Sequence, residues 1–494
     1  MTRVTDSMAF QPQTDSQRSD ALQGMEIRKL GLNRGTPRLW IQGAQATKGG
    51  FEPGVAYTPR IDRDRCMLIL EARPEGKRVV SRKIVRQREV PVIDIESEDL
   101  LGMFVRLGLT AVRIVVQLKR IFILPVSSEL RARERLMRLK SKLSKGEPLL
   151  VGSLSSGIGI LDRAAHVGLA EAGIQSRLAF ANEIREDCVE HAFQCNPVYD
   201  ATTVLLTAPM QEVVFDDWVM SKLPKLEGVV IGIPCSGASN AGRTKRKLDL
   251  PESHPDVGHL VVPFLAAVAK TSPCFVAVEC VPGWLATASA SIARSMLRDL
   301  GYDVHETVLN AADWNMLEHR ERMCMIAVTK GIEFTFDLVE RPEPRPRQFG
   351  EIMDDVPPDD SCWSELTYLK AKQERDAAAG KGFRMTIVDP QSPKVPTLNK
   401  TLAKRQSTGT FIQHPNDPKL LRIPTVAEHA RAKGIWGDMV EEVTQTFGHE
   451  VCGQAVSVPP FTAVFKALGK ALQAFKAVVD IAMPSIIRGD MAAA

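Results

Sequence analysis

The sequence predicts an α/β protein: a doubly wound, mostly parallel sheet that carries an inserted small module and follows an N-terminal β-rich domain. Three observations lead there. After Glu147, short apolar runs (Leu149–Leu154, Val229–Ile233, Phe275–Val278) alternate with amphipathic stretches near 160–172, 185–195 and 257–270, the pattern of βαβ units. Between about 331 and 400 this regularity gives way to Pro-rich, charged text (ERPEPRPRQ, DDVPPDD), and helical periodicity returns at Val426–Lys433 and Thr462–Val479. From Met25 to Pro125, by contrast, short strand-like runs are separated by polar and glycine-containing turns.

Taken in order, residues 1–24 are rich in Ser, Thr, Asp and Gln, lack periodicity and are expected to be a disordered tail. Residues 25–126 form the β domain, and it looks duplicated at an offset of about 53. Leu39-Trp40-Ile41 answers Val92-Ile93-Asp94, and Gly50-Phe51 answers Met103-Phe104. Tyr57–Ile61 answers Val112–Val116, and Met67–Leu70 answers Phe122–Pro125. Two such copies would pair into one barrel, and the first, with its Gly-Phe-Glu-Pro-Gly, resembles the small swapped-hairpin barrels of bacterial transcription regulators. Residues 127–147 read as a linker helix. Ser127 or Ser128 can cap it, Leu130, Leu136, Leu139 and Leu143 give a thin stripe, and seven Lys and Arg fill the rest. A phosphate-tracking helix and a solvated linker remain equally open. The sheet domain is expected over 148–330, the inserted module over 331–405, a return to the sheet domain over 406–480, and a tail over 481–494.

At 494 residues the chain exceeds what one compact core usually holds. Hydrophobic residues at 44% and charged residues at 25% exclude a wholly disordered chain, a collagen and a coiled-coil rod. The longest apolar run, around 260–269, is broken by Pro263 and falls short of the ~18–20 residues of a membrane span. The first 25 residues lack an apolar h-region, so no secretory signal is expected. Nine cysteines show no C-x-x-C pair, which argues against a disulfide framework or a zinc site and for a reducing cytoplasm. Residues 1–150 carry 28 Lys and Arg against 17 Asp and Glu, or +11, leaving −7 for the remainder. A basic N-terminal third suits a nucleic-acid partner, and equally an Arg-rich soluble face.

The residues that carry chemistry sit where strands end. Leu149–Leu154 runs into Ser155-Ser156-Gly157-Ile158-Gly159, a Gly-x-Gly turn of the kind that lets backbone approach a nucleotide. Phe180-Ala181-Asn182 leads to Glu183, an acid placed to accept hydrogen bonds from ribose hydroxyls. Either feature alone is as often just a tight turn or a surface acid. Gly228–Ile233 runs into Pro234-Cys235-Ser236-Gly237-Ala238-Ser239-Asn240. A cysteine there lies on the ligand-binding edge, where its thiolate can attack an electron-poor carbon; the bland reading is an inert core thiol. Cys274–Val278 ends in Glu279, which if desolvated can hold a proton near neutrality and give it to a ring nitrogen, or is a loop carboxylate. Arg320 and Arg322, at i and i+2 entering Met323–Val328, point the same way and can grip an oxygen, or form a surface ion-pair edge. No cluster has metal-ligand spacing.

The ordered set Ser-Gly-Ile-Gly, Asn-Glu, Pro-Cys-Ser-Gly-x-Ser, Glu-Cys-Val and Arg-Glu-Arg resembles the DNA (cytosine-5) methyltransferases, over about residues 148–475. Leu421–Arg431 looks like the family's ninth motif, and Gly453-Gln454-Ala455-Val456-Ser457-Val458-Pro459 like its closing motif. The resemblance implies an S-adenosylmethionine-dependent methyltransferase fold acting on double-stranded DNA. Cys235 would be the nucleophile toward carbon 6 of a flipped-out cytosine, Glu279 the acid at ring nitrogen 3, and Arg322 with Arg320 the grip on the base. Ser153, Ser156, Gly157, Ile158, Gly159, Glu183, Ile184, Pro234, Gln454 and Ala455 would contact S-adenosyl-L-methionine. Ser236, Ser239, Asn240, Arg345, Arg347, Arg384 and Thr425 would contact DNA, and the module over 331–405 would choose the target. Two alternatives are a tRNA cytosine-5 methyltransferase and a DNA-binding regulator with weak catalysis. A monomer on DNA is expected, and a restriction endonuclease partner leaves no mark in the sequence. Departures are Ser153 and Ser155 where the family has Asp and Phe, Pro209 near an expected Asp, Cys280 for Asn, Glu318 for Gln, and Ser236 and Ala238 in the nucleophile loop.

Overall fold

A computed structural model of the chain describes residues 20–63, 65–234, 237–238 and 246–477. Two compact units divide it, the first running to Glu134 and the second spanning Arg135–Ala477.

In the first unit the strands are β1 (Leu22–Lys29), β2 (Gly31–Asn33), β3 (Thr36–Gln42), β4 (Ala56–Asp62), β5 (Met67–Ala72), β6 (Arg78–Val79), β7 (Ser81–Val85), β8 (Arg88–Glu96), β9 (Ala111–Gln117) and β10 (Arg120–Pro125). Helix α1 (Ala44–Lys48) follows β3, and α2 (Glu98–Arg106) follows β8. Each half therefore reads β-β-β-α-β-β. One sheet has the order β1-β9-β10-β5-β4-β6 and the other β2-β3-β8-β7. The halves exchange strands: β1 of the first pairs with β9 of the second, and β6 of the second with β4 of the first. Residues expected in the disordered tail are thus partly ordered, because Leu22 and Gly24 pair with Gln117 and Val116 on β9. Alternation places Leu39, Ile41, Ile93, Ile95, Val112, Ile114, Ile121 and Ile123 in one core. Gly50-Phe51 answers Gly108-Leu109 rather than Met103-Phe104. Phe51 and Leu109 make the same bond back, to Ala46 O and Phe104 O, and the longer α2 slides the offset.

Helix α3 (Ser127–Lys145) carries the basic run, and from Arg135 onward it is bound within the second unit. Arg135 is buried, stacks over the Tyr302 ring at 4.1 Å and donates to Thr329 Oγ1 at 2.9 Å. Arg138 and Lys142 hold the buried Glu227 carboxylate at 2.8 and 2.6 Å. These three cations are structural, so the helix is not free to track phosphate along its whole length.

The second unit is built on a sheet of β11 (Leu149–Leu154), β12 (Ser176–Asn182), β13 (Val204–Leu206), β14 (Gly228–Gly232), β15 (Phe275–Cys280), β16 (Tyr302–Asn310) and β17 (Glu321–Thr329). Their order is β13-β12-β11-β14-β15-β17-β16, parallel except for β17, which runs antiparallel to both neighbours. Strands β11, β14 and β15 are buried on both faces, as their unbroken apolar text requires. The order reverses between β11 and β14, which opens a crevice at their carboxyl ends. Helices α4 (Ile160–Glu171), α5 (Glu186–Cys195), α6 (Val261–Thr271) and α7 (Ala288–Asp299) flank the sheet.

Beyond β17 the chain makes a module with its own small sheet, β18 (Thr386–Val388), β19 (Thr410–Gln413) and β20 (Leu421–Arg422), beside α8 (Thr367–Ala378). Phe349, Ile352, Val388, Val395, Leu398 and Ile412 pack into one of its two cores, so the Pro-rich text is folded, and its sheet extends past residue 405. Helices α9 (Val426–Lys433), α10 (Gln445–Gln454) and α11 (Val458–Ala477) return to the sheet domain. The last begins at Val458, since Pro459 and Pro460 fit a first helical turn. It lies against α4 so closely that a Cβ on Gly168 would stand 2.4 Å from Thr462 O. Among the described residues no single helix is long and apolar enough to cross a membrane.

Candidate active site

The turn after β11 takes a course that side chains resist: Ser155, Gly157 and Gly159 all have positive φ, at 51°, 56° and 75°. A Cβ on Gly159 would meet the Tyr199 ring at 2.5 Å, whereas one on Gly157 would meet nothing within 4 Å, so open space lies in front of that backbone. Glu183, just past β12, is held at both oxygens. Gly157 N–H donates to Oε2 at 2.9 Å and Arg185 N–H to Oε1 at 3.0 Å. An ionised carboxylate has about four lone-pair sites, so this one is oriented and still able to accept from hydroxyls. Ile184 beside it leaves 65% of its surface open, an apolar face next to the acid. Ser156 N–H donates to Asn182 O, and Ile158 and Gly159 give their carbonyls to the buried Asn196 amide.

Ser153 is turned inward. It hydrogen-bonds Asp162 on α4, a fully buried acid that also accepts from the Tyr199 hydroxyl at 3.3 Å. Burial pushes the Asp162 carboxyl up to about 7, against the pull of those two hydroxyls. Sequence reading missed Asp162 and Tyr199, which are joined only by the fold.

Glu279 is the penultimate residue of β15, opposite Gly232 of β14 and next to Cys324 of β17. A Cβ on Gly232 would be 3.5 Å from Glu279 Oε2 and 3.8 Å from Ser155 O. The cofactor-type turn and the acid therefore flank one glycine. Arg322 Nε sits 2.9 Å from Glu279 Oε1 and its Nη1 donates to Glu321 O. Burial raises the Glu279 pKa above the ordinary carboxyl range, opposed by Arg322 and Arg320. Arg320 is more deeply buried and donates to Gly453 O at 3.0 Å, with Glu318 3.6 Å away. It ties the closing motif to the pocket rather than facing an open site. Pro234 is half-buried at the end of β14, Cys280 Sγ donates to Ile233 O, and Gln454 is exposed with Ala455 half-buried where α10 ends. Cys235, Ser236, Ser239 and Asn240, expected at the site from the sequence, lie outside the described residues.

The DNA-contact candidates scatter. Arg347 is mostly buried, paired with Glu351 at 2.6 Å and bonded to Asn315 O at 3.0 Å, so its guanidinium is taken up within the protein. Arg345 is exposed and only loosely paired with Glu351 at 3.4 Å, and Arg384 is exposed. Thr425 caps α9: its hydroxyl accepts from Glu428 N–H and donates to Asp354. Behind these lies a buried ionic set that sequence reading missed. Arg422 grips Glu428 with two bonds of 2.7 Å, and Lys433 donates to Glu318. The latter pair accounts for the unusual Glu318. Burial lowers the Lys433 pKa to about 7.

The family model described as C-5 cytosine-specific DNA methylase matches residues 150–470. Among curated proteins, the Type II methyltransferase M.BspRI of Lysinibacillus sphaericus is 26% identical over 215 residues, 40% of this chain and 48% of its own. M.SsoII of Shigella sonnei is 25% identical over 252 residues, 49% and 63% of the respective chains. The chain thus spans about half to two-thirds of the length of these relatives, whereas it spans 96% of M.NlaX of Neisseria lactamica, at 24% identity and 65% of its own length. Among solved structures, the S. pombe Dnmt2 methyltransferase aligns with a TM-score of 0.51 at 19% identity, over 66% of this chain and 99% of that one, a likeness of fold.

Proposed function

The chain belongs to the C-5 cytosine-specific DNA methylase family, and from that premise we propose that it methylates carbon 5 of cytosine in double-stranded DNA with S-adenosyl-L-methionine as donor. The observation that carries the reading is the Glu279–Arg322 pair at the crevice edge, beside β14, whose sequence runs on into Pro234-Cys235.

The residues present fit the donor. The positive-φ turn with open space before Gly157 and the doubly tethered Glu183 make a cradle for a nucleoside, with Glu183 accepting from ribose and Ile184 giving apolar cover. Bound there, S-adenosylmethionine supplies an electrophilic methyl group. The chain supplies the rest. Cytosine carbon 5 is a weak nucleophile, and the Cys235 thiolate adds to carbon 6 while Glu279 gives its proton to nitrogen 3, which leaves carbon 5 electron-rich. After carbon 5 is methylated, its proton passes to solvent, the Cys235 thiolate departs, and nitrogen 3 returns its proton to Glu279, which restores the neutral ring. Arg322 orients Glu279 and can direct its remaining N–H groups to the exocyclic oxygen. The base must leave the duplex to reach these groups. Exposed Arg345 and Arg384 would contact phosphate as the module over 331–425 reads the target.

Labelled methyl transfer to duplex DNA and to tRNA tests the substrate; transfer to tRNA alone would overturn the DNA reading. Duplex containing 5-fluorocytosine should form a stable adduct with the wild-type chain and none with Cys235→Ala. An adduct that persists in the variant would overturn the nucleophile.

A further inference from the structure

The β7–β8 hairpin is bare. Every residue of β7, Ser81-Arg82-Lys83-Ile84-Val85, is exposed on both faces, as are Arg86, Gln87, Arg88 and Glu89. Between Glu75 and Glu89 the chain carries Lys77, Arg78, Arg82, Lys83, Arg86 and Arg88 and no acid. Among the described residues, only Arg82 of the hairpin's cations has an ion pair, with Glu89 at 3.1 Å. Pairing of Val85 with Arg88 closes a two-residue turn in which Arg86 and Gln87 both hold positive φ, 46° and 63°.

The molecule contains its own control. The equivalent hairpin of the first half, β2–β3, closes on Arg34-Gly35 with the same handedness, but its outer strand has three residues instead of five and its turn relaxes onto a glycine. Its Arg38 is neutralised by Asp94 through two bonds, of 2.9 and 2.6 Å. The fold therefore needs neither the length nor the charge nor the strained Gln87 of the second copy. Cations on an edge strand guard against strand addition, but that role does not call for Ile84 and Val85, which expose 72% and 41% of their surface.

We propose that the β7–β8 hairpin is a second DNA-binding element, a two-stranded ribbon whose tip enters the major groove of duplex DNA. The groove is about 12 Å wide and admits such a ribbon, and Arg and Gln at the tip match the acceptor edges of guanine and the paired edge of adenine. Ile84 and Val85 suit thymine methyl groups, Arg82, Lys83 and Arg88 along the ribbon suit phosphate, and Arg86 takes phosphate as well where the pairs at the tip offer no guanine. This site is independent of the base pocket and of methyl transfer. A-form RNA offers a major groove too narrow for the ribbon.

The test titrates the full chain against a short duplex of A·T pairs only, which gives the base pocket no cytosine, at several salt concentrations. Arg86→Glu with Arg88→Glu should weaken binding on the order of tenfold or more and reduce the salt slope by about 1.8, at ~0.9 per lost phosphate-type contact. Arg34→Glu, at the equivalent turn, should change neither. Both variants alter solvent-facing groups, so thermal unfolding should match wild type and certify the fold. Wild-type affinity in the double variant, an equal loss in Arg34→Glu, or equal binding of an RNA duplex that the double variant loses in the same measure would each overturn the proposal. Failure of methyl transfer to cytosine-containing DNA would leave this binding intact, and so separates the two readings.

Discussion

In the proposed reaction Glu279 serves as an acid only while it keeps its proton, and its burial is what extends that range upward. The rate should therefore fall on the alkaline side as pH rises through the raised pKa. Arg322 opposes the shift, so Arg322→Met should move the alkaline limb of the kcat profile to higher pH while lowering the plateau, a split that a merely structural arginine would not produce. Glu279→Gln should cost about 10²–10⁴-fold in kcat and lose the limb altogether. Asp162 carries the opposite kind of consequence, for stability. Its folded pKa of about 7 exceeds its unfolded value, so the native state holds the proton more tightly. Stability is then greatest below about pH 4 for this group and is lost as pH rises to about 7, by roughly 4 kcal/mol at most. Asp162→Asn should flatten the decline in Tm between about pH 4 and 7, and an unaltered slope would show that another group causes it. Glu279 and Arg322 were legible because each stands at a strand end in an apolar context. Asp162 was not, since its meaning depends on Tyr199, brought to it across the fold.

The elements of the sheet domain were readable because strands buried on both faces are nearly continuous apolar runs, as β11, β14 and β15 are apart from Ser153 and Glu279 near their ends. The duplicated half-barrel was readable by alternation, but α1 and α2 were not: α1 has only five residues, and α2 is one helical turn longer, which misaligns any fixed offset. Helix α3 shows what charge counting leaves out. Of its cations, Arg138 and Lys142 meet at Glu227, itself also an acceptor for Leu150 N–H at the start of β11. Removing a buried carboxylate between two cations leaves both uncompensated. Glu227→Ala should lower stability by roughly 3 kcal/mol or more in a denaturant titration, whereas exposed Arg131→Ala should change it by under about 0.5 kcal/mol. Equal effects would mean that α3 is held by its leucines alone.

For the whole molecule, α3 sets where the second unit begins in practice. A chain that starts at Ser127 keeps Arg135 over Tyr302 and the two cations on Glu227, and should unfold in one transition near that of the second unit in the intact chain. A chain that starts at Pro148 should melt lower and expose hydrophobic surface, read by dye binding, although every strand of the sheet is present. The inserted module was visible in the sequence only as broken regularity. Its fold depends on contacts such as Leu317 with Val395 and Phe349, whose separation in the chain no local pattern records. How that module is fastened has a consequence for descent. Leu398 gives its N–H to Glu318 and its carbonyl to Lys433, while Val395 and His319 join through backbone alone. Glu318 and Lys433 lie on either side of the insert, and what they hold is peptide, which every sequence possesses. The clasp is therefore blind to the letters it clasps. At this point of the joint a lineage can rewrite the side chains of the insert, or inherit another's, and the grip of Glu318 and Lys433 stays as it is.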